Sequence, residues 1–171
     1  MEPQKIDRRR NYIVMLDTET ANDLECPLTY DIGWAIVDKW GTVYRKRSFI
    51  NREIFFLEKD LMQSSYYAEK LPIYYKRIAS GEAKVANWQT IKNILWQDMA
   101  EFDTKIVTAH NARFDYKSTT TTQRWLTKSK YRYFFPYGTE VWDTMKMARD
   151  VIGKMPTYRK WCEANDYLCK N

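Results

Sequence analysis

The chain predicts a single α/β domain: a mixed sheet, in which an antiparallel meander of three strands is extended by parallel strands, with helices on both faces. Three observations carry this reading. Strand-like runs of apolar and β-branched residues occur three times between Tyr12 and Ile50. Beyond them, helical periodicity alternates with short apolar runs, the order that builds parallel strands. The 171 residues are 44% hydrophobic and 29% charged, which suits one domain with a real core and not a disordered chain. No linker rich in Pro, Gly or Ser divides the sequence, so residues 1–171 read as one domain, with 1–10 as a loose charged arm.

Tyr12–Asp17 is a short apolar run and predicts a buried strand. Tyr30–Asp38 predicts a second strand, Lys39–Thr42 a tight turn around Gly41, and Val43–Ile50 a third strand. Ile54–Lys70 reads as helix, and Ile73–Ala79 as a short one. Asn87 is placed to cap the next helix, in which Trp88, Ile91, Leu95, Met99 and Phe102 recur at steps of three and four and form one apolar face. Lys105–Ala109 predicts a central strand, Ala112–Leu126 a helix, Glu140–Asp143 a short strand and Thr144–Ile152 a helix, which Pro156 breaks. Tyr158–Asn165 predicts a last helix.

Composition removes several classes. Three cysteines, an odd number with no C-x-x-C pair, argue against a disulfide framework or a zinc site and for reduced thiols in a cytoplasmic protein. No apolar run reaches the roughly 18 residues of a membrane span, and the charged N-terminus lacks the apolar core of a signal peptide. A net charge of +6 suits a polyanionic partner such as nucleic acid without requiring one.

The chemistry begins with Asp17-Thr18-Glu19-Thr20 at the end of the first strand. Residues two apart on a strand point to one face, so Asp17 and Glu19 project together. Two carboxylates so placed repel, and a hard cation such as Mg²⁺ or Mn²⁺ relieves the repulsion. A polar turn after a strand has the same appearance. A second group is Ala109-His110-Asn111-Ala112-Arg113-Phe114-Asp115, where Asp115 falls in the first turn of a helix and the dipole favours its ionised form. Capping explains an acid there equally well.

Together these segments resemble the first two motifs of the DEDD (DnaQ-like) 3′–5′ exonuclease superfamily, which has an RNase H-like fold. Tyr30–Ala35 resembles that family's second strand, and Trp142-Asp143-Thr144-Met145-Lys146-Met147-Ala148-Arg149 its segment between the second and third motifs. The likeness covers most of Tyr12–Ile152 and is nearest to exonucleases of phages of Gram-positive bacteria. It implies hydrolysis of phosphodiester bonds at free 3′ ends of single-stranded DNA or RNA, with DNA favoured, by two Mg²⁺ or Mn²⁺ ions. It implies that Asp17 holds both ions, Glu19 the one beside the nucleophile and Asp115 the other. Thr18 and Thr20 lie where the family contacts the terminal nucleotide, and Asn111 where the helix start or the substrate is touched.

The family's third motif, a general base and a fourth carboxylate, is not found. The single histidine, His110, lies inside the second motif, where it is usually structural in that family, and a catalytic role is the lesser reading. Asp143 opens a helix and reads as an N-cap. The resemblance implies a chain truncated before its last helix, with activity impaired by about 10²–10⁴ for want of a positioned base and with exposed apolar surface that favours self-association or lower stability. The competing expectation is a domain of this fold that holds nucleic acid or protein and does not cut.

Lys128–Phe135 interleaves basic and aromatic residues. Its preferred reading is rings in the core with cations in water, its alternative a surface for single strands. Arg8-Arg9-Arg10 is a flexible arm or a phosphate contact. Thr119–Thr122 faces solvent or packs on backbone.

Overall fold

A computed structural model describes residues 6–7, 9–65, 68–128, 133–151 and 156–164. Six strands, β1 (Tyr12–Ala21), β2 (Leu28–Asp38), β3 (Val43–Asn51), β4 (Lys84–Ala86), β5 (Ile106–Ala109) and β6 (Glu140–Asp143), form one sheet in the order β4-β3-β2-β1-β5-β6. β1, β2 and β3 pair antiparallel, as the meander predicts, and β4, β5 and β6 run parallel to their neighbours. This is the α/β mixed sheet expected from the sequence, and its arrangement is consistent with an RNase H-like fold.

The helices are α1 (Lys59–Ser64), α2 (Leu71–Ala79), α3 (Trp88–Glu101), α4 (Ala112–Thr127), α5 (Thr144–Val151) and α6 (Pro156–Ala164). Helix α3 follows from its sequence. Asn87 accepts a hydrogen bond from the Thr90 amide at 2.8 Å, and all five residues of the predicted apolar stripe are buried against Val14, Leu16, Ile32, Trp34 and Phe49.

The predicted helix over Ile54–Lys70 is broken into a π-turn (Glu53–Leu57), α1 and a 3₁₀ turn (Ala68–Lys70). Tertiary bonds explain the start of this break. The Glu53 carboxylate accepts from the Trp88 amide at 3.0 Å, and Ile54 and Phe55 are drawn into a second core with Ala21, Leu28, Tyr30 and Ile50. Glu58 then leaves helical geometry, with φ −97° and ψ 57°. β4 is not legible in the sequence, because three residues at a sheet edge carry no pattern. Pro156, predicted as the breaker of the helix before it, opens the last helix. At the end of the predicted arm, Arg10 is fastened to the sheet, donating to Asp38 at 2.8 Å and to the Tyr44 hydroxyl at 2.7 Å.

Two threonines of the run in α4, Thr119 and Thr122, are fully buried and donate to backbone carbonyls. β1 and β2 shift register between Glu19 and Thr20. Beside this irregularity the Thr29 amide donates to Thr122 Oγ1 at 2.8 Å, and Thr122 in turn donates to the Ser118 carbonyl at 2.7 Å. Thr122→Val keeps the shape but leaves the buried Thr29 N–H without its acceptor. A loss of about 1–3 kcal/mol is expected in urea unfolding, with little change in slope.

Among the described residues, no helix is long and apolar enough to cross a membrane.

Candidate functional site

Alternation along β1 sends its residues to opposite faces of the sheet. Val14, Leu16 and Thr18 point toward α3 and α4 and are buried. Met15 and Asp17 point the other way and are exposed, and Glu19 is half-buried. Asp17 and Glu19 therefore share a face, as predicted from their spacing. Both line a cleft of about 540 Å³, together with Asp31, Arg77, His110 and Thr144.

The floor of this cleft is set by cross-strand register. Asp17 lies opposite Gly33 and Glu19 opposite Asp31. Gly33 keeps the floor low: a Cβ there would meet the Arg47 carbonyl oxygen at 3.5 Å, an ordinary contact, so the glycine leaves space without being sterically required. Asp31 is a third acid on this face, which no motif marks and which only strand pairing brings there. Arg77 of α2 donates to Asp31 at 3.0 Å and to Ser48 Oγ at 3.1 Å, bringing a cation to the wall. Lys46 lines the same wall.

Asp115 lies on the other side of β1. It is 5% exposed, and Thr18 Oγ1 donates to its Oδ1 at 2.8 Å, with Ser118 Oγ 3.1 Å from the Thr18 hydroxyl. The Thr18 side chain thus positions Asp115 and is turned away from the Asp17 cleft. Thr20 and Glu19 line a second cleft of about 790 Å³ beside Asn22 and Phe114, so Glu19 stands between the two openings. Asn111 takes a left-handed conformation at φ 62° immediately before α4, and its side chain caps nothing there. Its exposed side chain is free of that structural task.

Electrostatics couples the predicted acids. Burial and the neighbouring charges of Asp17 and Asp31 raise the Glu19 carboxyl above its ordinary value. Burial pushes Asp115 up to about 6, with the Thr18 hydrogen bond opposing and the charge of Asp17 adding to the rise. Burial also raises Asp31, against the hydrogen bond and charge of Arg77. An ionised acid in each of these places is held at a cost that a nearby cation would relieve. The donor chemistry fits a hard divalent ion. The geometry fits it less well: among the described residues, no three His, Cys, Asp or Glu side chains converge as a metal-holding group. Asp17 and Glu19 face the cleft, and Asp115 is buried behind Thr18.

His110 is exposed at the end of β5, with Nδ1 3.3 Å from Thr144 Oγ1. Asp143 acts as the predicted cap, accepting from the amides of Met145 at 3.0 Å and Lys146 at 3.4 Å, and also from Asn111 at 3.2 Å. These amides outweigh a burial effect and hold its carboxyl below the ordinary range.

Comparison with models of known protein families finds no match, and comparison with curated proteins finds none either. The exonuclease resemblance therefore rests on the motifs of this chain, and the established finding is the fold, an α/β domain with a six-stranded mixed sheet.

Proposed function

We propose that this domain is a metal-dependent 3′–5′ exonuclease acting on nucleic acid with a free 3′ end, DNA favoured. The observation that carries the reading is the projection of Asp17 and Glu19 into one cleft that is also lined by Lys46 and by Arg77, the latter paired with Asp31. The acids of the cleft suit a cation, and its basic side chains suit a phosphodiester. Asp17, Glu19 and Asp115 are the residues that would hold Mg²⁺ or Mn²⁺. When bound, two such ions supply stabilisation for the charge that develops on the phosphate. Asp115 reaches that role only with a change at Thr18, whose hydroxyl now occupies its Oδ1.

His110 lines the same cleft, and its Nδ1 contact with Thr144 leaves Nε2 to meet solvent or substrate. It is assigned here as the proton acceptor for the attacking water, the role that the sequence alone weighs lower. His110→Gln should lower the rate by about 10²–10⁴ with oligonucleotide affinity unchanged. A rate equal to the parent's would return His110 to a structural role.

The second reading is a domain that binds nucleic acid or protein without cutting. It is favoured by the absence of a converged metal group among the described residues. Incubation of the chain with single-stranded DNA and RNA, in Mg²⁺, in Mn²⁺ and in chelator, separates the two. Stepwise shortening from the 3′ end that chelator stops supports the enzyme. Intact oligonucleotide that stays bound supports the binding module.

A further inference from the structure

The segment that leads into β6 divides its aromatic rings between core and solvent. Phe134 is fully buried and stacks on Trp88 with centroids 4.5 Å apart. Phe135 is buried and stacks on Tyr116 at 5.9 Å. Tyr133 and Tyr137 stand in water, 65% and 100% exposed. They rim a groove of about 500 Å³, with Trp96 and Lys92 of α3 also in its lining and no acid among the described residues that line it.

The groove is built firmly. Trp96 Nε1 donates to the Phe134 carbonyl at 2.7 Å. The turn that presents Tyr137 is closed by Thr139, whose hydroxyl donates to the Pro136 carbonyl at 2.8 Å, and Gly138 supplies the positive φ of 77° that this turn needs. Lys92 Nζ sits 4.9 Å from the centre of the Trp96 ring. These bonds fix the Trp96 ring and the backbone that presents Tyr137, so less order has to be imposed when a ligand binds.

We infer that this groove binds single-stranded nucleic acid, with bases stacked on Tyr133 and Tyr137 and a phosphate near Lys92. Two features choose this occupant. The charge present is cationic, in a chain of net charge +6. The Trp96 indole N–H is already satisfied, so the groove offers ring faces and a cation and lacks the free indole donor with which aromatic grooves commonly hold the carbonyls of a proline-rich peptide. The groove shares no residue with the Asp17 cleft. The inference goes beyond the exonuclease reading and does not depend on it.

The test uses the full chain carrying Asp17→Ala, in chelator so that nothing is cut, and a fluorescent twelve-nucleotide oligo(dT) read by anisotropy over a salt series. Tyr133→Ala and Tyr137→Ala should each weaken binding by about 5- to 100-fold, whereas Tyr137→Phe should keep it. Lys92→Gln should flatten the slope of log affinity on log salt by about 0.7. Tyr137 is fully exposed, so its alanine variant should melt as the parent does, and the loss cannot then be ascribed to unfolding. Unchanged affinity and salt slope in these variants would overturn the inference. So would a proline-rich peptide whose binding Tyr137→Ala removes while oligo(dT) binding persists, since that would give the groove to a peptide. Failure of the unmutated chain to shorten DNA in Mn²⁺ would sink the exonuclease reading and leave this result standing.

Discussion

Asp17→Ala is expected to lower metal-dependent shortening of 3′ ends by about 10³-fold or more. The size follows from the role proposed for Asp17 as the residue that holds both ions: loss of several kcal/mol of charge stabilisation in the transition state is three or more powers of ten in rate. The fold should survive, because the Asp17 side chain is exposed on β1. The metal-free variant should melt at or slightly above the parent, since the charge of Asp17 raises both Glu19 and Asp115 and its removal lessens that repulsion. A second readout separates metal binding from cutting. Millimolar Mn²⁺ should raise the melting temperature of the parent, as any ligand of the native state does, and should leave that of Asp17→Ala nearly unmoved. Shortening retained by Asp17→Ala would remove the proposed site. A metal-induced shift in the parent without cutting would keep the metal site and favour a domain that does not cut.

The largest expected loss of stability is at Asp98, which no motif marks. It lies on α3, 2% exposed, and gathers three donors from the sheet. Trp34 Nε1 donates at 3.0 Å, Arg45 at 2.6 Å, and Arg47 through two nitrogens at 3.1 Å each. Arg45 also binds Glu101 on the rim. Asp98→Ala would leave a buried indole N–H and Arg47 without their acceptor and Arg45 with Glu101 alone, and a cost of about 3–5 kcal/mol is expected. For a domain of this size that is a fall in melting temperature of roughly 10–15 °C. Glu101→Ala removes only a surface partner and should cost less than about 1 kcal/mol. Equal effects of the two substitutions would show that burial of Asp98 does not matter.

The same residue sets a pH dependence. Burial raises the Asp98 carboxyl, but the hydrogen bonds from Arg47, Arg45 and Trp34 outweigh it and hold the value below the ordinary 3.8. A carboxyl depressed in the folded state adds stability above its unfolded pKa, and that stability is lost as pH falls through the folded value. Acid unfolding of the parent below about pH 4 should therefore have a component that Asp98→Ala lacks.

Much of the architecture is legible in the residues. The stripe from Trp88 to Phe102, the cap at Asn87 and the strand Glu140–Asp143 follow from local period and capping chemistry. Shared projection of Asp17 and Glu19 follows from strand alternation alone, because side-chain direction on a strand has period two. The Thr122 bond and the interrupted helix after β3 do not follow, since each depends on a partner far away in sequence: Thr29 in the first case, Trp88 in the second.

The sequence by itself determined that a mixed sheet forms, that two acids of the first strand share one face, and that Asp115 falls in the first turn of a helix, whereas the strand runs on past the predicted end at Asp17 to Ala21. Only the tertiary structure decided what those residues meet. It set Asp31 opposite Glu19, brought Arg77 and His110 to the cleft, and put Thr18 between Asp115 and the other two acids. Period and propensity act over a few neighbours, whereas these meetings depend on strand register and helix packing, which close only when the whole sheet is assembled.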